Sequence, residues 1–143
     1  MNSISESKCG IEIGGLSIPA NHVLLVSVEW RLPQGVVHDL VIEARASGSS
    51  IGKTFTNTTS LSYQRFACFL RNTNVVTGIF VGMNYSTVSG SYSGKYDTVR
   101  RFMTFDLTQM FGSEVADYLY ESNDVDKFIK VFPNTYYTYT PGE

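Results

Sequence analysis

The hydrophobic pattern of this chain repeats every two residues from Val23 to about Leu107 and at helical spacing beyond it. Strands therefore come first and helices last, without the βαβ alternation that a parallel sheet requires. The expected fold class is α+β: a mainly antiparallel β-sheet or sandwich with one or two C-terminal helices. A chain of 143 residues has the size for one core. We read 1–143 as a single domain with polar tails at 1–10 and 134–143.

The clearest strand is Val23 to Trp30, with Leu24, Val26, Val28 and Trp30 on one face and Val23, Leu25, Ser27 and Glu29 on the other. Pro33 and Gly35 turn the chain into Val36 to Ala46, where Val36, Leu40, Ile42 and Ala44 point inward and Asp39, Glu43 and Arg45 face water. Residues 47–60, rich in Ser, Gly, Thr and Asn, read as a long loop or a weak edge strand around Thr54 to Thr56. Leu61 to Leu70 and Val75 to Met83 form two more strands about the turn 71–74. Residues 84–95 read as a hairpin tip near Gly90 and Gly94, leaving Tyr85 and Tyr92 exposed, with Tyr63 and Tyr96 as further exposed tyrosines. Strict alternation along Thr98 to Leu107 puts Arg101 on the face of Val99, Met103 and Phe105, and Arg100 on the face of Phe102 and Thr104. Leu107, Met110, Phe111, Val115, Tyr118 and Leu119 then share a helical stripe with Ser113 as a candidate N-cap, and Asp124 to Phe132 forms a second amphipathic turn stopped by Pro133.

Several function classes fall away. The longest aliphatic run, Val23 to Val26, is far short of the ~20 apolar residues of a spanning helix. The first eight residues have neither a basic start nor an apolar segment, and Asn2 stands where a myristoylated glycine would be, so a cytosolic or nuclear protein without a lipid anchor is expected. Cys9 and Cys68 have no disulfide or zinc spacing and read as reduced thiols, so neither a metal site nor a cofactor is expected. Gly48 to Thr54 resembles a phosphate loop but has three residues between its glycines where four are needed. His22 and His38 are the only histidines; no nucleophile elbow accompanies them, and both read as ordinary, partly exposed residues. Asp124 and Asp126 read as a helix start rather than metal ligands. A non-enzymatic protein with no catalytic residue is the expectation.

Charge is segregated along the chain. Residues 1–50 carry a net −2, residues 51–103 a net +5 and residues 104–143 a net −5. Cations gathered on one surface within a Debye length of ~8 Å attract phosphates, whether of anionic lipid or of nucleic acid. Alternatively, the positive middle and the negative end pair with each other, within a chain or between chains. Arg100-Arg101 beside Phe102 is the densest basic and aromatic patch. With it, Lys53, Arg65, Arg71 and Lys95 are the candidate contacts for anionic lipid or RNA.

Leu16-Ser17-Ile18-Pro19 leading into Val23 to Trp30, and Arg100 to Leu107 running into a helix through Tyr120, resemble the small matrix proteins of non-segmented negative-strand RNA viruses, specifically the bornavirus type. The similarity covers about two thirds of the chain as a pattern, and the acidic C-terminal third departs from it. It implies a sheet-plus-helix fold and self-assembly into tetramers and larger lattices. It also implies contact with the inner leaflet of an anionic membrane during virion assembly, and binding of RNA or of a viral nucleocapsid. Arg100 and Arg101 are the basic positions carried over from it. A second reading is a β-sandwich binding module that recognises a peptide, glycan or protein through loops 47–60 and 84–96, whose residues suit adaptable contacts.

Overall fold

A computed structural model describes residues 8–131, and the C-terminal tail and the Pro133 stop lie outside that range. Seven strands precede three short helices: β1 (Lys8–Ile13), β2 (Val23–Arg31), β3 (Val37–Ala46), β4 (Ser49–Thr58), β5 (Gln64–Arg71), β6 (Val76–Ser89), β7 (Thr98–Asp106), α1 (Leu107–Phe111), α2 (Ser113–Ser122) and α3 (Val125–Val131). All strand pairs are antiparallel, in a four-stranded sheet ordered β1-β6-β3-β4 and a three-stranded sheet ordered β5-β2-β7. The α+β sandwich read from the periodicity is the observed architecture.

The alternation of β2 explains how the layers assemble. Leu24, Val26, Val28 and Trp30 face the four-stranded sheet and pack with Leu40, Ile42 and Ala44 of β3, Phe66, Cys68 and Leu70 of β5, and Ile79 and Val81 of β6. The opposite face of β2 is split. Val23 and Leu25 lie beneath the helices, in a second cluster with Phe69, Leu107, Ala116 and Phe128. The Phe128 ring meets Phe69 edge-on at 6.1 Å and seats α3 on the sheet. Toward the other end of that face no helix of the described residues covers the strands, and Glu29 and Arg31 lie there.

Several expectations are corrected. β1 begins at Lys8, within the stretch read as a polar tail, and of the two readings of 47–60 the edge strand is the observed one, running ten residues from 49 to 58 rather than only around Thr54 to Thr56. β6 runs on to Ser89 through the first half of the expected hairpin tip, and the chain turns at Gly90 to Gly94 as read. Of the two loops assigned to the binding-module reading, 47–60 is thus largely strand, and 84–96 is strand to Ser89 and loop beyond it. Glu43 is buried rather than facing water, because Lys8 and Arg45 cover it with an ion-paired lid. Three short helices replace one or two, because Gly112 at φ 85° breaks the run and itself caps α2, leaving Ser113 inside the helix. The break resets the helical phase, so Met110, Val115 and Tyr118 of the expected helical stripe are exposed.

Candidate anion-binding face

The uncovered end of the β5-β2-β7 sheet is organised by a β-bulge. Ser27 pairs with Met103 and Glu29 with Arg100, so Val28 alone opposes Arg101 and Phe102. Arg101 takes up the extra residue at φ 52°, a left-handed conformation that a non-glycine residue adopts at a cost of about 1 kcal/mol or more. The bulge ends the strict alternation expected for β7: Val99 and Phe102 both pack into the inter-sheet core, while Met103 and Phe105 join the cluster beneath the helices.

Arg100 and Arg101 therefore do not point to opposite faces. Arg100 Nε donates to Glu29 Oε2 at 2.6 Å and Arg101 donates to Glu29 Oε1 at 3.2 Å, so both converge on one carboxylate. Arg65 stands directly across from Glu29 on β5. Tyr63 draws in a fourth cation, with the Arg100 guanidinium 3.9 Å and that of Arg31 5.0 Å from its ring centroid. Two guanidiniums hold the Glu29 carboxylate, Arg65 stands across from it on β5 and Arg31 shares the Tyr63 ring with Arg100, so these four arginines and one glutamate carry a net +3. Arg31 and Arg100 are exposed, and Arg65 and Arg101 are half-buried. Such forks present several N–H donors in fixed geometry to phosphate or carboxylate oxygens.

The other candidate cations are elsewhere. Lys53 joins Arg65 in lining a cleft of ≈ 700 Å³ whose opposite wall carries Asp124 and Asp126. Arg71 is ion-paired with Asp117 of α2 and lies over the Tyr120 ring at 4.6 Å, so part of the positive middle is neutralised within the chain by the acidic end. Lys95 donates to the Gln34 carbonyl in the turn after β2. Sequence reasoning thus brought three of its six cations to the face and missed Arg31, which the segment sums counted within a net-negative stretch. Tyr63 and Tyr92 are half-buried rather than exposed, whereas Tyr85 and Tyr96 are exposed as expected.

A second constellation lies inside the sandwich. His38, read as partly exposed, is 0% exposed, with Nε2 2.7 Å from Asp97 Oδ2 and Nδ1 3.0 Å from the Asp39 carbonyl. Asp97 also accepts from Trp30 Nε1 at 2.9 Å and from the Tyr92 hydroxyl at 2.7 Å. Both imidazole nitrogens face acceptors, so the geometry favours the imidazolium opposite an ionised Asp97. Burial alone would lower the His38 pKa, but its hydrogen bonds to Asp97 and Asp39 and their charges outweigh this and raise it. Burial likewise opposes ionisation of Asp97, yet the bonds from His38, Tyr92 and Trp30 and the His38 charge hold its pKa below the usual value. His22 is half-buried, its Nδ1 2.8 Å from Asp106 Oδ2. Asp106 also caps α1 through Gln109 N–H, so that pairing fastens the strand-to-helix junction.

Fold and site together define an antiparallel β-sandwich with an arginine-lined open face. No protein-family model matches the chain, and neither a curated protein nor a solved structure matches it.

Proposed function

We propose that this chain is a non-enzymatic structural protein of the matrix type, which docks on anionic membrane surfaces through the outer face of β5-β2-β7 and assembles with copies of itself. The observation that carries the reading is the bulge at Arg101, which turns two neighbouring arginines onto the face that already holds Arg65 and Arg31. An exposed cationic face suits the phosphates of lipid headgroups at the inner leaflet. The same geometry favours phosphates over the bases of RNA, because the tyrosine ring that would stack on a base is engaged by two guanidiniums. Among the described residues no helix is long and apolar enough to cross a membrane, which fits docking at the surface.

Flotation with neutral and with phosphatidylserine-rich vesicles tests it. At roughly 1 kcal/mol per cation near the surface, a net +3 corresponds to about 3 kcal/mol, or ~150-fold stronger partitioning onto the anionic vesicles. The double variant Arg31→Ala/Arg100→Ala removes two exposed cations and should lose ~30-fold of that. Equal partitioning of the wild-type chain onto both vesicle types would refute the reading.

A further inference from the structure

The outermost strand of the four-stranded sheet carries an inference about the self-assembly half of that reading. β1 pairs on one side with β6, through Cys9↔Met83, Ile11↔Val81 and Ile13↔Ile79. Val81 and Ile79 are fully buried, so Cys9, Ile11 and Ile13 face the same inter-sheet side. The opposing sheet has three strands against four, and β1 overhangs it. Ile11 and Ile13 consequently remain 46% and 41% exposed, and Cys9 is exposed beside them.

An open edge with exposed apolar residues is a template for another strand, and natural edges are usually blunted by charge, bulges or cover. The other edges here are blunted. β7 carries the bulge and two arginines, and β4, with Lys53, lies against β5. On β1 the charged residues are Lys8, ion-paired with Glu43, and Glu12, ion-paired with Arg45 at 3.2 Å, both on the outer face of the sheet.

We infer that β1 pairs antiparallel with β1 of a second copy, centred on Gly10, joining two four-stranded sheets into one of eight. The occupant follows from self-complementarity. Pairing about Gly10 sets Lys8 opposite Glu12 of the second copy on one face, and Cys9 opposite Ile11 of the second copy on the other. The same patch serves both copies, as a two-fold interface requires. Lys8 and Glu12, which are ion-paired within their own chain to Glu43 and Arg45, each gain a second partner of opposite charge across the edge, and the exposed apolar residues cover each other. Gly10 at the centre adds no bulk. Pairing about Ile11 would instead set Gly10 opposite Glu12 and leave Lys8 without a charged partner across the edge. An edge of six residues is small for an interface, so the dimer is weak and calls for a covalent trap.

The inference deepens the self-assembly half of the proposed function and is independent of the lipid half: a chain that dimerises but ignores anionic vesicles keeps the one and loses the other. In the proposed register Cys9 and position 11 of the second copy are direct cross-strand neighbours, within the Cα separation a disulfide spans. Ile11→Cys, an exposed position that leaves the core intact, should therefore give a covalent dimer on mild oxidation. Peptide mapping should find Cys9 of one copy joined to the introduced thiol of the other. Ile13→Cys, whose partner in this register is position 7, should stay monomeric under the same conditions. Sedimentation of the wild-type chain should show mass rising with concentration, and Ile11→Lys should suppress the rise. A strictly monomeric wild type, an uncrosslinked Ile11→Cys chain, or crosslinking through position 13 in place of position 11 would overturn the inference.

Discussion

Replacing Asp97 with Asn keeps the shape of the buried cluster and removes its charge, and the consequences can be worked atom by atom. Asp97 Oδ2 accepts from both His38 and Trp30, and Oδ1 accepts from Tyr92. If the new amide nitrogen takes the Oδ2 position, it faces the indole N–H, donor against donor. If it takes the Oδ1 position, Tyr92 can rotate to accept, but His38 then holds a buried charge without a counter-charge, or loses a proton and leaves one nitrogen lone pair facing an acceptor. Neither orientation satisfies every group. The side chains of His38 and Asp97 are 0% and 8% exposed, so the cost falls in the range for breaking a buried pair, about 3–5 kcal/mol. That should lower the melting temperature by roughly 10 °C.

The pH dependence carries a sign. His38 has a raised folded-state pKa, so its contribution is complete below the unfolded value of 6.5 and is lost as pH rises through the folded one. Asp97 has a lowered folded-state pKa, so its contribution is present above 3.8 and is lost as pH falls through the folded value. The pair is therefore most stabilising from about pH 4 to about 6.5, and wild-type stability should decline above that window. Trp30, the only tryptophan, donates into the cluster and reports on it directly. Urea unfolding followed by its fluorescence from pH 5 to 8 should show this decline in the wild type and a much flatter profile in Asp97→Asn. A loss below about 1 kcal/mol, or an unchanged pH slope in the variant, would refute the assignment of a buried ion pair.

Two further predictions concern the edge and the thiols. In Gly82→Ala the new methyl would overlap the Cys9 carbonyl and the Phe80 ring that lies over the glycine, so the variant should lose about 1–3 kcal/mol and release β1 first, read as faster amide exchange at Lys8 to Ile13 than at β3. Burial pushes the Cys68 thiol up to about 12 while Cys9 is exposed, so a disulfide reagent at mildly alkaline pH should label Cys9 alone until denaturant is added.

The sandwich was legible wherever one face of a strand is buried. β2 and β3 read correctly because Leu24, Val26 and Val28, and likewise Leu40, Ile42 and Ala44, fill the inter-sheet layer at a period of two. β1 escaped notice because an overhanging edge strand buries almost nothing, and Gly10 and Glu12 interrupt its apolar residues. β4 is ambiguous between loop and edge strand for a similar reason: at the sheet edge it tolerates Ser, Gly, Lys and Thr. The bulge left no trace in the pattern, since its extra residue is an arginine between residues that alternate acceptably in either phase. Its consequence for the site is large, because that one residue decides whether Arg100 and Arg101 face the same way. His38 and Asp97 are 59 positions apart, and nothing local to either announces that they meet.

In the proposed function the arginine face, rather than any other surface, meets the anionic membrane. Amide NMR on phosphatidylserine-rich vesicles that carry a headgroup spin label locates the contact residue by residue. Relaxation enhancement should concentrate at Arg31, Tyr63, Arg65, Arg100 and Arg101, and should spare Glu43 and Arg45 on the outer face of the four-stranded sheet. Enhancement centred on the four-stranded sheet, or none anywhere on the chain, would rule out docking through the arginine face.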